Sequence, residues 1–234
     1  YNKLENLIKK IEAKTNSKLS IACLLSYKGR LLQYQNKINE ALACYEKSLK
    51  IYEEINDKRD ILRISVLYID IALIYKEQKN YGVSLELLEK SLDIEKKFNN
   101  NDYVAVCYNH IGNVLTEMGN YKEALEIYEK SLEIEKLIFG EDSYKSKVSL
   151  NNIATIYLIL GKSKEAEEIF LKNLKITEKV FGYYSNNVSN ILQNIGGVYM
   201  EQKKYKDALN YFEKSLEINK KIYNPEQPEI LQMI

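Results

Sequence analysis

The sequence predicts an all-α protein, a solenoid of helix-turn-helix hairpins stacked along the chain. The first observation is an internal repeat, because YKEALEIYEKSLEIEK at 121–136 returns as YKDALNYFEKSLEINK at 205–220. The second is that apolar residues within each copy lie three and four positions apart, which places them on one face of a helix. The third is composition, since nine glycines and two prolines among 234 residues are too few for the many turns of a β fold.

The repeat occurs five times at a spacing of about 42 residues, with looser copies beginning at Ile38, Tyr81 and Ser163. One slot holds leucine in every copy, namely Leu49, Leu92, Leu132, Leu174 and Leu216. We therefore predict one solenoid over residues 1–234, with repeats at 16–56, 58–99, 101–140, 142–182 and 184–223. Residues 1–14 resemble the second helix of a preceding repeat, and residues 225–234 the start of a further one. Both ends of the array therefore look unfinished, which predicts either a fragment of a longer array or self-association through the ends.

Each copy also has an upstream amphipathic segment, which we expect to be the first helix of its hairpin. A small residue recurs there at one slot, and a bulky residue follows three positions later; the small residues are Gly29, Ala72, Gly112, Ala154 and Gly196. A small side chain lets a neighbouring helix approach closely. Gly119-Asn120 and Gly161-Lys162 mark the turns within two hairpins. Gly140 and Gly182 fit the ends of second helices, and Asp142 or Ser143 is placed to cap the next helix.

The charge balance argues against two classes of binding protein, and the cysteines predict a cellular location. Lys and Arg number 34 against 33 Asp and Glu, a formal charge of +1, so the chain lacks the basic surplus of a protein that binds nucleic acid or an anionic membrane. No run of eighteen apolar residues is present, and the amino end has no signal-peptide pattern. Cys23, Cys44 and Cys107 form no CxxC pair, which is typical of reduced thiols and predicts a cytoplasmic location.

The repeat resembles the tetratricopeptide repeat, whose signature the fifth copy follows at Leu192, Ile195, Gly196, Tyr199, Ala208, Phe212 and Ser215. It lacks the family's tryptophan and closing proline, and it is about eight residues longer than the usual repeat. Phe139-Gly140, Phe181-Gly182 and LNNIA at 150–154 resemble the kinesin-light-chain-like subgroup. The resemblance implies a right-handed superhelix whose first helices line a concave groove that binds a peptide or partner protein.

Carried onto this sequence, the resemblance selects these groove residues: Tyr27, Arg30, Tyr34, Asp70, Glu77, Asn109, His110, Asn113, Asn151, Asn152, Thr155, Gln193 and Asn194. Asparagine is a poor helix former, yet its amide offers donors and an acceptor to an extended peptide backbone. The other interpretation is that these amides only bond neighbouring first helices, and both roles can coexist. The groove has few basic residues, so we expect a neutral or mildly basic partner segment with apolar anchors near Leu158, Ile159 and Met200.

Nothing in the sequence indicates catalysis. His110 is the only histidine and has no nucleophile motif beside it, and no P-loop, HExxH or dinucleotide-binding motif is present. We therefore predict no enzyme activity, no cofactor and no metal site.

The favoured function is a noncatalytic protein-protein interaction scaffold. A signalling-peptide sensor of related architecture is one alternative. An accessory domain that controls a fused or associated effector enzyme is the other.

Overall fold

The computed structural model describes residues 17–55, 57 and 60–223, and within these it contains ten α-helices and no strand. The all-α prediction is therefore confirmed. The predicted partial repeats at 1–14 and 225–234 lie outside the described residues. In chain order the helices are α1 Lys18–Tyr34, α2 Ile38–Ile55, α3 Ile61–Glu77, α4 Tyr81–Lys97, α5 Asn101–Glu117, α6 Tyr121–Phe139, α7 Lys147–Ile159, α8 Ser163–Phe181, α9 Asn186–Glu201 and α10 Tyr205–Tyr223.

These helices alternate between first and second helices of a hairpin, and the chain divides into two compact units at Val114, within α5. In the first unit, the core between α1, α2 and α3 contains Tyr45, Tyr52 and Leu67. In the second unit, Phe170 of α8 packs with Ile195 of α9. Each core therefore lies between successive hairpins as well as within them.

The five hairpin turns share one backbone geometry. The second residue after each first helix has a positive φ between 59° and 82°, and it is Asn36, Lys79, Gly119, Gly161 or Lys203. The next residue donates its backbone N–H to a carbonyl five positions earlier, as Lys204 does to Tyr199 at 2.9 Å. This 6→1 bond is the Schellman arrangement that ends a helix. The turns expected at Gly119 and Gly161 are confirmed, and the other three accept asparagine or lysine in the left-handed region.

At the small-residue slot, the second helix of a hairpin packs closely against the first helix. A Cβ atom added to Gly29 would lie 2.6 Å from Cε1 of Tyr45, and one added to Gly196 would lie 2.6 Å from Cε1 of Phe212. Such distances are shorter than van der Waals contact, so only glycine admits the ring at this spacing. The close approach predicted at this slot is therefore present in the first and the fifth hairpin.

A buried serine pair joins the two helices of several hairpins. Ser65 and Ser91 lie 2.7 Å apart, oxygen to oxygen, and Ser189 and Ser215 lie 2.8 Å apart. Both pairs are buried, so each hydroxyl satisfies the other where water cannot reach.

The longer links between hairpins in the second unit are closed by glycine and serine. Gly140 and Gly182 have φ values of +92° and +75°. The Ser185 hydroxyl caps α9 by accepting the Val188 N–H at 3.4 Å. Ser143 caps a short 3₁₀ helix, Tyr144–Ser146, by accepting the Lys145 N–H. The predicted serine cap is thus present, but one turn ahead of α7.

Within the ranges described, no helix is long and apolar enough to cross a bilayer.

Candidate functional site

Two clefts contain residues from the predicted groove, one in each unit. In the second unit an open cleft of about 240 Å³ lies between the first helices α7 and α9. We call it the asparagine cleft, and its lining residues are Lys147, Val148, Asn151, Asn152, Asn173, Asn187, Asn190, Ile191 and Asn194. Six of these nine side chains are asparagines, so the cleft offers amide donors and acceptors at close spacing.

Part of this amide capacity is already used between the helices. Asn194 Nδ2 donates to Asn151 Oδ1 at 2.7 Å, and Lys147 Nζ donates to Asn187 Oδ1 at 2.9 Å. Asn190, in contrast, is exposed and makes no side-chain hydrogen bond to any described residue. The helix-bonding role expected for the amides is therefore real for the Asn151–Asn194 pair, while Asn190 keeps its full capacity for a ligand.

The floor of the asparagine cleft comes from a second helix. Asn173 of α8 is only 1% exposed, and its Nδ2 donates to the Lys147 carbonyl oxygen at 3.2 Å. Its Oδ1 accepts from the Thr177 hydroxyl at 3.4 Å. Because its own bonds fix this amide, Asn173 orients the first turn of α7.

The first unit has a larger cleft of about 430 Å³, which we call the amino-terminal cleft. It includes the predicted residues Tyr27, Arg30 and Asp70. Arg30 Nε and Nη2 both lie 3.0 Å from Asp70 Oδ2, across the first helices α1 and α3. Burial raises the pKa of Asp70, an effect that the nearby Arg30 guanidinium opposes. For Arg30, burial would lower the pKa, but the Asp70 carboxylate outweighs it and the pKa is raised. Arg30 therefore enters the cleft as a paired cation.

The remaining walls of the amino-terminal cleft are also paired. Arg63 Nε lies 3.1 Å from Asp60 Oδ1, and Arg63 Nη1 donates to Cys23 Sγ at 3.1 Å. The buried Glu95 accepts hydrogen bonds from Ser65 at 2.5 Å and from Asn100 at 2.7 Å. This cleft is therefore a charged surface whose groups are largely satisfied by one another.

The other predicted groove residues lie outside the linings of these two clefts. Tyr34 is 81% exposed, Glu77 is also exposed, and Asn113 is half-buried. Thr155 donates to the Asn151 carbonyl of its own helix at 2.8 Å. Gln193 Nε2 donates to Ser215 Oγ at 3.0 Å, within its own hairpin. Asn109 is 7% exposed, so its amide presents little surface to a ligand.

His110 lies mostly buried on α5. Its Nδ1 atom is buried without a hydrogen-bond partner, and burial, followed by the charge of Lys76, lowers the pKa of the imidazole. The neutral form is therefore favoured in the folded protein.

Sequence reasoning missed Lys147, Asn173, Asn187 and Asn190. The predicted groove positions were chosen by their distance from the small-residue slot. Lys147 and Asn187 lie instead on the first turns of α7 and α9, Asn190 lies on the second turn of α9, and Asn173 lies on α8. The NNVSN run at 186–190 was a visible signal, since three asparagines open one helix.

Two features of the described ranges concern metal ligands and the Cys107 thiol. They contain no group of three or more His, Cys, Asp or Glu side chains that could hold a metal ion. Cys107 is fully buried, and burial raises the pKa of its thiol to about 11, which keeps it protonated.

The sequence matches the tetratricopeptide repeat family model at residues 20–97, 62–136 and 145–221. The chain belongs to the tetratricopeptide repeat family. No curated protein matches it in a sequence search.

Several solved structures have the same fold, and the similarity extends over most of this chain. BtubC (BKLC) from P. vanneervenii has a TM-score of 0.80 at 17% identity, covering 97% of this chain and 92% of its own. A putative kinesin light chain of Podosopora anserina with nearly identical TPR-like repeats has a TM-score of 0.71 at 16% identity, covering 91% of this chain and 100% of its own. NprR in complex with its cognate peptide NprX has a TM-score of 0.67 at 20% identity, covering 99% of this chain and 70% of its own. The fold is thus a TPR-like solenoid of the kinesin-light-chain-like kind.

Proposed function

We propose that this chain is a noncatalytic interaction scaffold that binds an extended segment of a peptide or partner protein in the asparagine cleft. The observation that carries the proposal is the convergence of six asparagine side chains between α7 and α9, with Asn190 exposed and unbonded to described residues. Amides that face each other across two parallel helices match the alternating donors and acceptors of an extended backbone.

The composition of the asparagine cleft suits an extended segment without net charge. Its one charged lining residue, Lys147, already donates to Asn187, so polar contact comes from amides. Ile159 and Met200, at the far ends of α7 and α9, are about half exposed and offer apolar contacts for anchoring side chains. Backbone bonding gives affinity without sequence dependence, and the anchors add specificity.

The likeness to NprR bound to its peptide supports this proposal, because that fold accommodates a peptide. It also keeps the alternative of a signalling-peptide sensor, since NprR from B. thuringiensis is described as a quorum sensor. A sensor must change conformation when its peptide binds. Amide hydrogen exchange measured with and without peptide separates the two: a scaffold is protected around the cleft only, whereas a sensor also changes in helices far from it.

The experiment begins with a peptide selected on the intact chain from a random twelve-residue display library. Its affinity is then measured by calorimetry for the wild type, Asn190→Ala and Asn210→Ala. Asn210 is an exposed asparagine on the second helix α10 and serves as the matched control. We expect Asn190→Ala to weaken binding by about five- to tenfold, the loss of one hydrogen bond. Equal affinities for the wild type and both variants would refute the assignment.

Asn151→Ala and Asn194→Ala test the paired amides. Each change also breaks the 2.7 Å bond between the two helices, so peptide affinity and urea unfolding are measured together. The proposal requires affinity to fall more than the small loss of stability explains.

A further inference from the structure

A third cleft lies in the second unit, on the second helix α8 and away from the predicted groove. Three of its eight lining residues are lysines. Its volume is about 520 Å³. We call it the lysine cleft, and it is lined by Asp142, Ser143, Tyr144, Lys172, Lys175, Ile176, Lys179 and Val180. The lysine cleft and the asparagine cleft share no residue.

The charges in the lysine cleft are not balanced. Lys172 Nζ lies 3.2 Å from Asp142 Oδ1 and 3.6 Å from Glu141 Oε1, and Glu141 also pairs with Lys136 at 2.6 Å. Lys175 and Lys179 form no ion pair with any residue in the part of the chain that the structure describes. Since the three lysines lie at i, i+3 and i+7, they share one face of α8. The lining of the cleft therefore has three lysines and one aspartate, a local excess of positive charge.

The repeat supplies an internal comparison for this charge. The slot of Lys172 is lysine in every copy, but the slot of Lys175 is acidic in three others, at Asp93, Glu133 and Glu217. In those helices the acid lies three residues after the lysine, on the same face, and offsets its charge. The corresponding acid in α8, Glu178, lies three residues after Lys175 but is not among the residues that line the cleft. The first copy also has a lysine there, Lys50, but an acid, Glu54, at the slot of Lys179. Among the five second helices of the described residues, α8 alone has lysine at all three slots.

The walls between these lysines are apolar. Val180 is 48% exposed, Ile176 is partly exposed, and the Tyr144 ring meets Phe181 edge to face at 5.6 Å between centroids. An apolar surface flanked by unpaired cations suits an anionic ligand that also has a hydrophobic side chain.

We propose that the lysine cleft is a second binding site, which takes an acidic peptide segment of a partner protein with aspartate or glutamate on Lys175 and Lys179 and one apolar side chain on Ile176 and Val180. A nucleic-acid backbone matches the charge but has no aliphatic side chain for the apolar walls, and the chain as a whole has a net charge of only +1. The partner is therefore a peptide rather than a nucleic acid.

The test uses two fluorescein-labelled peptides of ten residues. In the acidic probe, pairs of glutamates alternate with pairs of leucines. In the glutamine probe, every glutamate is replaced by glutamine. Fluorescence anisotropy is measured with the intact chain at 50 and 300 mM salt. The test variant is Lys175→Glu/Lys179→Glu. The matched control is Lys122→Glu/Lys206→Glu, which changes net charge equally at two exposed lysines on α6 and α10.

We expect the acidic probe to bind the wild type and the control with similar affinity, to bind the test variant at least tenfold more weakly, and to lose affinity at 300 mM salt. The glutamine probe should bind none of them. Equal losses in test and control variants would show attraction to overall charge and overturn the proposal. Stronger binding of a ten-nucleotide single-stranded RNA than of the acidic probe would also overturn it. Asn190→Ala should leave probe binding unchanged, so the result does not depend on the asparagine cleft.

Discussion

The closest contact between the two helices of a hairpin depends on single glycines, and two adjacent ones can be separated experimentally. Gly196 lies under the Phe212 ring, whereas a Cβ atom on Gly197 would meet nothing within 4 Å. We expect Gly196→Ala to lower the free energy of unfolding by about 1–3 kcal/mol through overpacking. Gly197→Ala should raise it by about 0.5–1 kcal/mol, because alanine is the better helix former. Urea unfolding of both variants checks this, and destabilisation of equal size in the two would contradict it.

His110 gives the protein a pH dependence with a defined sign. Its pKa in the folded state lies below the unfolded value, so protonation favours unfolding. The stability that neutral His110 contributes is fully present above the unfolded pKa near 6.5 and is lost as pH falls through the folded pKa. The urea midpoint should therefore fall between pH 7.5 and 5.5 in the wild type. In His110→Gln the decrease of the urea midpoint should be smaller. A decrease as large as that of the wild type would show that His110 does not cause the pH dependence.

At the scale of elements, hairpin turns need a left-handed residue that three repeats supply without glycine. Lys79 and Lys203 have φ values of +59°, where a Cβ is unfavourable. Replacing Lys203 by glycine should stabilise the chain by about 0.5–1 kcal/mol. Gly161→Ala, at the same slot in the fourth hairpin, should destabilise it by a similar amount. Thermal unfolding measures both, and the account fails if the two changes have the same sign.

Sequence predicted the elements better than it predicted the site, and the reason is physical. Helix faces and turns are local, so the repeat spacing and glycines such as Gly119 and Gly161 located them. The asparagine cleft depends on which residues of α7 and α9 face each other and on Asn173, which lies on α8 and lines the same cleft. Such juxtapositions depend on packing between hairpins, which spacing alone does not specify. Asn109 shows the converse, since a groove slot in the repeat became a buried position in the structure.

At the scale of the whole molecule, the last described helix exposes a face that earlier repeats bury. The slot held by Tyr45, Leu88, Tyr128 and Phe170 is at most 2% exposed, whereas Phe212 at that slot on α10 is 38% exposed. Leu209 and Leu216 are exposed beside it. A contiguous apolar stripe of this kind favours association.

We therefore expect the chain to self-associate at high concentration through α10. Leu209→Lys/Leu216→Lys should shift sedimentation velocity toward the monomer. As a control, Leu137→Lys removes one exposed leucine on α6 and should leave the distribution as it is. A wild type that stays monomeric at hundreds of micromolar would contradict this expectation.

The asparagine cleft as a binding surface is tested most directly by mapping the contacts of the selected peptide with NMR. Side-chain amide resonances of an isotope-labelled chain are assigned and followed as peptide is added. The account predicts that the largest shifts fall on the amides of Asn151, Asn152, Asn190 and Asn194, with Asn210 unchanged. Shifts confined to α8 and α10, with the amides of α7 and α9 unmoved, would contradict it.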